Sequence, residues 1–421
     1  MNYKFQIKNL SLLLSGSVLS QLLLIIFIPF IAEKYTQESF SYLSFITAFS
    51  SSFIPILTGN LGYVLLKEVD DNESDQLFNY SILYIFLTNI IFITILYPII
   101  SLISFDINDN FFHLFFLLSL GSSLLQVVIR KLNRLEKYAS ISMFKFLQSL
   151  FIIVGYFFLI DNYSGLVISN ISAVYLLLFI YFLFFESPNF SFLKNFNFKE
   201  LSNYKDYILN NSISSTLNNL VYNLPVFFIS ATFGFKILAY YQLYNMVIKI
   251  PFSMIAQNLS QLNMGNIVRM KKDKVKISNY FKNISLIIAG LGLLFFLSAY
   301  AFNEFLFDIF FNVNKWSVTK TIIKTLLLFN VIQFISSSLS TTIETLGEVR
   351  RSTRWKLINF FMMITLHIYE YYLFLNHSLI FEQYLFDLLI IGSISYIYYY
   401  FEIYSSVKHY DYQIVKKDCN I

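Results

Sequence analysis

The sequence predicts an all-α, polytopic membrane protein with about twelve transmembrane helices in two pseudo-symmetric six-helix lobes. Three observations lead there. Apolar stretches of spanning length recur along the whole chain, basic residues gather in alternate loops, and a pair of prolines in the first half returns in the second. Of 421 residues, 57% are hydrophobic and only 13% charged, far from the balance of a soluble domain.

Runs of roughly twenty apolar residues, the length of a membrane-crossing helix, lie near 10–32, 42–66, 80–104, 111–129, 141–160 and 165–185 in the first half. The first run follows Lys4 and Lys8 as a signal peptide would. It reaches Phe30-Ile31-Ala32-Glu33 without a small-x-small cleavage site, so it reads as a retained helix. Lys145 sits near the cytoplasmic end of the fifth run, where its stem can snorkel to the interface. A polar stretch, ESPNFSFLKNFNFKELSNYKD, then carries Pro188 and forms the natural hinge between an N-terminal lobe at 1–187 and a C-terminal lobe at 211–421, with 188–210 as a cytoplasmic linker. Six further runs follow near 211–233, 237–262, 284–307, 321–346, 355–375 and 379–404. The connections are short, which leaves no room for a soluble catalytic domain.

Cytoplasmic loops of membrane proteins collect Lys and Arg. With the N-terminus inside, inner segments hold 23 of the 30 basic residues, including Arg130, Lys131, Arg134 and Lys137, the run VRMKKDKVK at 268–276, and Arg350, Arg351, Arg354 and Lys356. Outer segments hold only Lys34, Lys236, Lys315, Lys320 and Lys324. Both termini are therefore expected in the cytoplasm. The run at 268–276 reads as a loop lying on anionic headgroups.

Four of the six prolines form two pairs, Pro29 with Pro55 and Pro225 with Pro251, each 26 residues apart and offset from one another by 196. This spacing predicts a duplicated six-helix unit. An even helix number keeps both copies in one orientation, as in parallel-repeat transporters. Proline inside a membrane helix frees a carbonyl and bends the helix, so the four prolines are candidate hinge positions.

A polar stripe in hydrocarbon must face protein or water. In the eighth run Gln242, Asn245, Lys249, Ser253, Ala256 and Ser260 recur at steps of three and four, with Lys249 deep in the membrane. The seventh run carries Asn211, Ser215, Asn218 and Tyr222 in the same rhythm. The second carries Ser44, Thr47, Ser51, Pro55, Thr58 and Gly62, which a shift of 198 lays on the eighth-run stripe. Repeat register is thus ambiguous by two residues. Lys249 reads either as the cation of a water-filled, anion-attracting cavity or as the partner of a buried carboxylate. Glu370 and Asp387, with His367 nearby, occupy the outer parts of the last two runs, where they can relay protons, bind a cation or line a wet vestibule.

No enzyme constellation emerges. His113, His367, His377 and His409 are scattered, no glycine-rich phosphate loop is present, and the single cysteine, Cys419, excludes intramolecular disulfides and cysteine metal clusters. No cofactor and no nucleic-acid partner is expected.

The stretch GSVLSQLLLIIFIPFIAEKYTQESFSYLSF at 16–45 resembles the first helix and outer loop of bacterial O-antigen (Wzx-type) polysaccharide repeat-unit flippases, in the multidrug, oligosaccharidyl-lipid and polysaccharide exporter superfamily. Where that family tends to have Arg-Tyr, Pro-Glu and Phe-Gly, this chain has Lys34-Tyr35, Gln37-Glu38 and Phe40-Ser41. The segment NLPVFFISATFGFKILAYYQLYNMVIKIPFSMIAQNLSQ is similar to the start of the family's second half. Phe311 to Trp316 followed by SSSLSTTIETLGEVRRSTRWKL is similar to its tenth-helix region, without the usual glycine before the tryptophan.

The resemblance implies a V-shaped pair of lobes alternating access to a cationic central cavity. It further implies a non-enzymatic flippase that moves undecaprenyl-pyrophosphate-linked oligosaccharide repeat units from the cytoplasmic to the outer leaflet of the bacterial inner membrane, for O-antigen, lipopolysaccharide or other surface-polysaccharide assembly. Bilayer lipids and other polysaccharide-assembly membrane proteins would be its partners. On that reading Lys249 meets the pyrophosphate, and Asn211, Asn218, Tyr222, Gln242, Asn245 and Ser253 meet sugar hydroxyls. The alternatives are a cation-coupled multidrug or metabolite exporter of the same superfamily, a membrane-embedded polymerase or glycosyltransferase, or a scaffold. The deep charge is positive and the first six runs hold no deep acid, which favours an anionic substrate. Short outer loops disfavour the enzymes, and polar stripes have no use in a scaffold.

Overall fold

The computed structural model describes residues 3–65, 71–102, 110–160, 164–185 and 205–418. Pro188, most of the 188–210 linker, Lys67, Lys194, Lys199 and Cys419 lie outside the described residues. The described chain is helical and strand-free, with twelve long helices. These are α1 (Tyr3–Lys34), α2 (Gln37–Thr58, extended by a short turn at Leu61–Leu65), α3 (Asp71–Leu102), α4 (Phe111–Arg134), α5 (Tyr138–Phe158) and α6 (Gly165–Phe184). The second half adds α7 (Lys205–Thr232), α8 (Gly234–Tyr244, Asn245–Lys249 and Ile250–Lys272 in succession), α9 (Ser278–Phe310), α10 (Val313–Ser338, continued by Thr341–Leu346), α11 (Val349–Leu375) and α12 (Phe381–Asp418). Each expected span is matched by one of them.

Among the described residues, nine helices are long and apolar enough to cross a membrane; α1, α7 and α8 are not among the nine, and for α7 and α8 the composition gives the reason. The reason is their polar load. Asn211, Asn218, Asn219 and Asn223 on α7, and Gln242, Asn245 and Lys249 on α8, lower the hydropathy of segments that otherwise have spanning length.

Local chemistry sets the helix ends. Thr36 caps α2 by accepting from the Ser39 amide at 3.3 Å, and Gly59 closes it with φ 57°, in the left-handed region that glycine enters without strain. Asn312 caps α10 by accepting from the Asn314 and Lys315 amides. At the start of α9, the Asp411 carboxylate on the extension of α12 accepts from Ile277 N at 2.7 Å and Ser278 N at 3.0 Å, placing negative charge on the positive end of the helix dipole.

The chain divides into two compact units, Met1–Phe227 and Phe228–Ile421, and the division falls within α7. In the first unit α1 packs on α5, α5 on α6, α4 on α6, α2 on α4 and α3 on α4. In the second, α8 packs on α10, α9 on α10, α10 on α12 and α11 on α12. Advancing each helix number by six carries four of the five first-unit pairs onto second-unit pairs. The fifth, α1 with α5, corresponds to α7 with α11, whose Phe228 and His367 rings lie 5.1 Å apart. The pseudo-symmetric pair of six-helix sets is therefore present in the packing.

Small residues permit close approach where apolar collapse gives no drive between helices in lipid. Gly16 of α1 lies so near Ser142 of α5 that any side chain there would overlap it. Farther along the same seam the Ser20 and Ser149 hydroxyls bond at 2.5 Å, and the Tyr35 hydroxyl donates to Tyr156 O at 2.8 Å.

Candidate functional site

The first candidate surface is on α8. From Asn245 to Lys249 the helix widens into a π-helical turn, and Pro251 follows at the start of the next α-helical segment. The cause is local: proline has no amide to donate and its ring crowds the preceding turn, so the backbone relaxes by one extra residue. Lys249 ends the widened turn. It is only 7% exposed, and its ammonium lies 5.8 Å from the Tyr241 ring centroid, within cation–π range. About fifteen residues, or roughly 22 Å at 1.5 Å per residue, separate it from the Gly234 end of α8, too far for its stem to reach an interface.

The extra residue also rotates the stripe. Gln242, buried, and Asn245, half-buried with an unbonded side-chain oxygen, precede it. Beyond it, Ser253 turns its hydroxyl onto Ile250 O at 2.8 Å, while Ser260 bonds Thr341 Oγ1 at 3.0 Å and Asn263 bonds Thr342 Oγ1 at 2.9 Å on the α10 extension. The six positions that α-helical spacing places on one continuous face thus divide. Gln242, Asn245 and Lys249 lie up to the end of the π-helical turn, and Ser260 beyond it serves helix packing.

The second surface is on α7, in the first unit. Asn211 and Ser215 accept from the Asn60 amide, through the Asn211 carbonyl and the Ser215 hydroxyl, both at 3.1 Å. Asn218 is half-buried and Tyr222 is exposed. The adjacent stripe is bonded as well, through its last two members. Asn219 donates to Ser51 O at 2.8 Å, and Asn223 donates to the Ser51 and Ser52 hydroxyls at 3.0 Å each, joining α7 to α2. Ser212, Thr216, Asn219 and Asn223 recur at steps of four, three and four, so periodicity marked them as strongly as their neighbours. Sequence reasoning singled out one stripe where two run side by side.

The four paired prolines all lie in helices. Pro29 is inside α1, Pro55 is buried near the end of α2, Pro225 is buried inside α7, and Pro251 follows the π-helical turn of α8. Glu370 of α11 is fully buried, and neither of its carboxylate oxygens has a hydrogen-bond partner among the described residues. Lys320 pairs with Asp308 at 2.9 Å and Lys324 with Glu304 at 3.7 Å. Among the described residues no group of three or more His, Cys, Asp or Glu is arranged to hold a metal ion.

Twelve helices in two matching sets, with a deep cation and proline-broken helices, define a multi-pass membrane protein with the fold of the MOP-superfamily transporters. The chain is similar over 94% of its length to 95% of an inward-facing multidrug resistance MATE transporter of that superfamily, at TM-score 0.64 and 14% identity. It is similar over 97% of its length to 91% of the lipid II flippase MurJ in an inward closed conformation, at TM-score 0.64 and 13% identity. A MOP-superfamily transporter from Pyrococcus furiosus, described as having a binding pocket of reverse polarity, matches 96% of the chain over 94% of its own length at TM-score 0.61 and 13% identity. No curated protein matches the chain. The chain belongs to the polysaccharide biosynthesis protein family, whose sequence pattern it matches over residues 61–321.

Proposed function

We propose that this protein is a flippase for undecaprenyl-pyrophosphate-linked oligosaccharide repeat units, moving them from the cytoplasmic to the outer leaflet of the bacterial inner membrane for O-antigen or related surface-polysaccharide assembly. The observation that carries the reading is the buried Lys249 at the π-helical turn of α8. A pyrophosphate requires a fixed positive partner in low dielectric, and a deep membrane lysine without such a task is costly. Membership of the polysaccharide biosynthesis family supports the substrate class.

On this reading the lobes 1–187 and 211–421, joined through 188–210, alternate access, and bends at Pro29, Pro55, Pro225 and Pro251 accommodate the movement. Gln242, Asn245, Ser253, Asn211, Asn218 and Tyr222 exchange hydrogen bonds with sugar hydroxyls. The protein breaks no covalent bond and needs no cofactor. Its partners are the lipid-linked glycan, bilayer lipids and other polysaccharide-assembly membrane proteins.

Complementation of a flippase-null strain carrying this chain's own glycan assembly genes tests the function. Restored surface polymer is the expected result, whereas accumulation of lipid-linked repeat units despite stable expression would refute it. The proposed orientation, both termini cytoplasmic, is tested after replacing Cys419 with serine. A cysteine at exposed Asn110 is expected to react with an impermeant thiol reagent from outside, and one at exposed Lys272 is not. The reverse pattern would invert the topology.

A further inference from the structure

A proline inside α2 leaves one backbone carbonyl without its helical donor. Pro55 has no amide hydrogen, so Ser51 O, four residues back, loses the bond that unbroken helix would give it. In a membrane such a group must find another partner. Asn219 of α7 supplies it, its side-chain nitrogen donating to Ser51 O at 2.8 Å. Asn223, one turn further along α7, donates to the Ser51 and Ser52 hydroxyls at 3.0 Å each. Those two hydroxyls are turned to receive it, because their own hydrogens go to Ala48 O at 3.2 Å and 2.7 Å.

On the other side of Pro55 the same two helices are joined again. Gly59 and Asn60 take left-handed backbone angles, φ 57° and 51°, which end α2 and carry the Asn60 side chain to α7. There its amide donates to Asn211 O and to the Ser215 hydroxyl, both at 3.1 Å. Asn211, Ser215, Asn219 and Asn223 follow one another at steps of four, the ridge along which helices pack. The ridge therefore holds α2 both before and after its proline. Pro225 follows Asn223 by two residues, and the first compact unit closes at Phe227. Phe228, the next residue, stacks on Tyr384 of α12 at 4.8 Å.

We infer that the amide ridge of α7 is a releasable strap across the Pro55 break of α2, with Asn219 standing in for the missing proline N–H and Pro225 as the elbow of the strapped segment. Its links are neutral hydrogen bonds, and such bonds between membrane helices are each worth about as much as thermal energy. A handful of them makes a contact that opens and closes. Opening is costly only when it is dry, since Ser51 O and the two amides would then lie unpaired in an apolar medium. Release therefore requires water or a hydroxyl-bearing molecule at the break. Engaged, the strap fixes the bend of α2, and released, it lets α2 turn about Pro55. Its use in transport, with α7 leaving α2 as access alternates, rests on the flippase reading above. The strap itself does not.

Electron paramagnetic resonance distances separate the two, because they require no transport. Spin labels are placed at exposed Ile56 and Ile213 of the full-length Cys419→Ser chain in lipid nanodiscs. Two distances are expected, a short major one and a longer minor one. Asn219→Leu is expected to raise the longer population about threefold, the factor that one interhelical hydrogen bond of average strength is worth. In a Pro55→Ala background the same change is expected to do little, because the alanine amide then donates to Ser51 O and Asn219 is no longer needed. Equal responses in the two backgrounds would overturn the role of Asn219. A single distance in the labelled parent chain would make the contact a permanent brace and overturn release. Separately, Ser52→Cys with Asn223→Cys is expected to form a disulfide on mild oxidation, and its failure to form would overturn the docking. The parent chain and the cysteine pair decide the matter even if the Asn219 variant fails to fold.

Discussion

Lys249→Ala is expected to abolish surface polysaccharide while protein abundance in the membrane stays unchanged, and Lys249→Arg is expected to retain part of the activity. An ammonium about 4 Å from a phosphate oxygen contributes on the order of 4 kcal/mol at an effective dielectric near 20, so its loss corresponds to roughly a thousandfold weaker hold on the substrate. Arginine keeps the charge, but its longer, planar head places that charge differently from the ammonium, which lies 5.8 Å from the Tyr241 ring centroid. Because Lys249 is buried, alanine removes a desolvation cost as well as a contact, so stability should not fall with activity. The assay is surface polymer against immunodetected protein, and undiminished polymer in the alanine variant would remove Lys249 from the mechanism.

Trp316→Ala is expected to destabilise the second unit by about 3–5 kcal/mol, the usual cost of emptying a buried aromatic site. Trp316 is 0% exposed and sits at a kink near the start of α10, with backbone angles φ −126° and ψ 17°. Its ring meets Tyr240 of α8 edge-on at 6.0 Å, and the Lys315 ammonium lies 5.5 Å from its centroid. A side chain that fills a kink leaves a void that straight helix cannot close. The melting temperature in detergent is expected to fall by roughly 10 °C, with Trp316→Phe recovering most of the loss. An unchanged transition would show that the kink repacks without the indole.

Most of the architecture was legible because it follows from one-dimensional rules. Apolar runs must be about as long as the bilayer is thick, and the expected spans differ from the observed helices chiefly at their ends, which project into water where hydropathy carries no signal. The proline offset predicted a duplication, and the packing pairs of α2–α6 recur in α8–α12. Legibility declined where two answers share one period. On α7 the stripes through Asn211 and Ser212 are offset by a single residue, about 100° of helix, and only the positions of Ser51, Ser52 and Asn60 select the bonded residues. On α8 the steps of three and four presume unbroken α-helix, and the turn before Pro251 breaks that presumption.

The acids show the same limit from another side. Glu370 and Asp387 were visible as intramembrane charges, yet position along a span says nothing about direction around it, so proton relay, cation binding and a wet vestibule all stayed open. Only the packed helices turn Glu370 to a fully buried position.

By itself the sequence determined that this chain is a twelve-helix membrane protein built twice over, because burial in lipid imposes length, apolarity and charge asymmetry on every span independently of its neighbours. Tertiary structure alone decided where polar residues point: the α7 amides on the α2 hydroxyls, the π-helical turn of α8 at Lys249, and the burial of Glu370. Those outcomes depend on azimuth and on the helix packed opposite, and a linear pattern does not encode either.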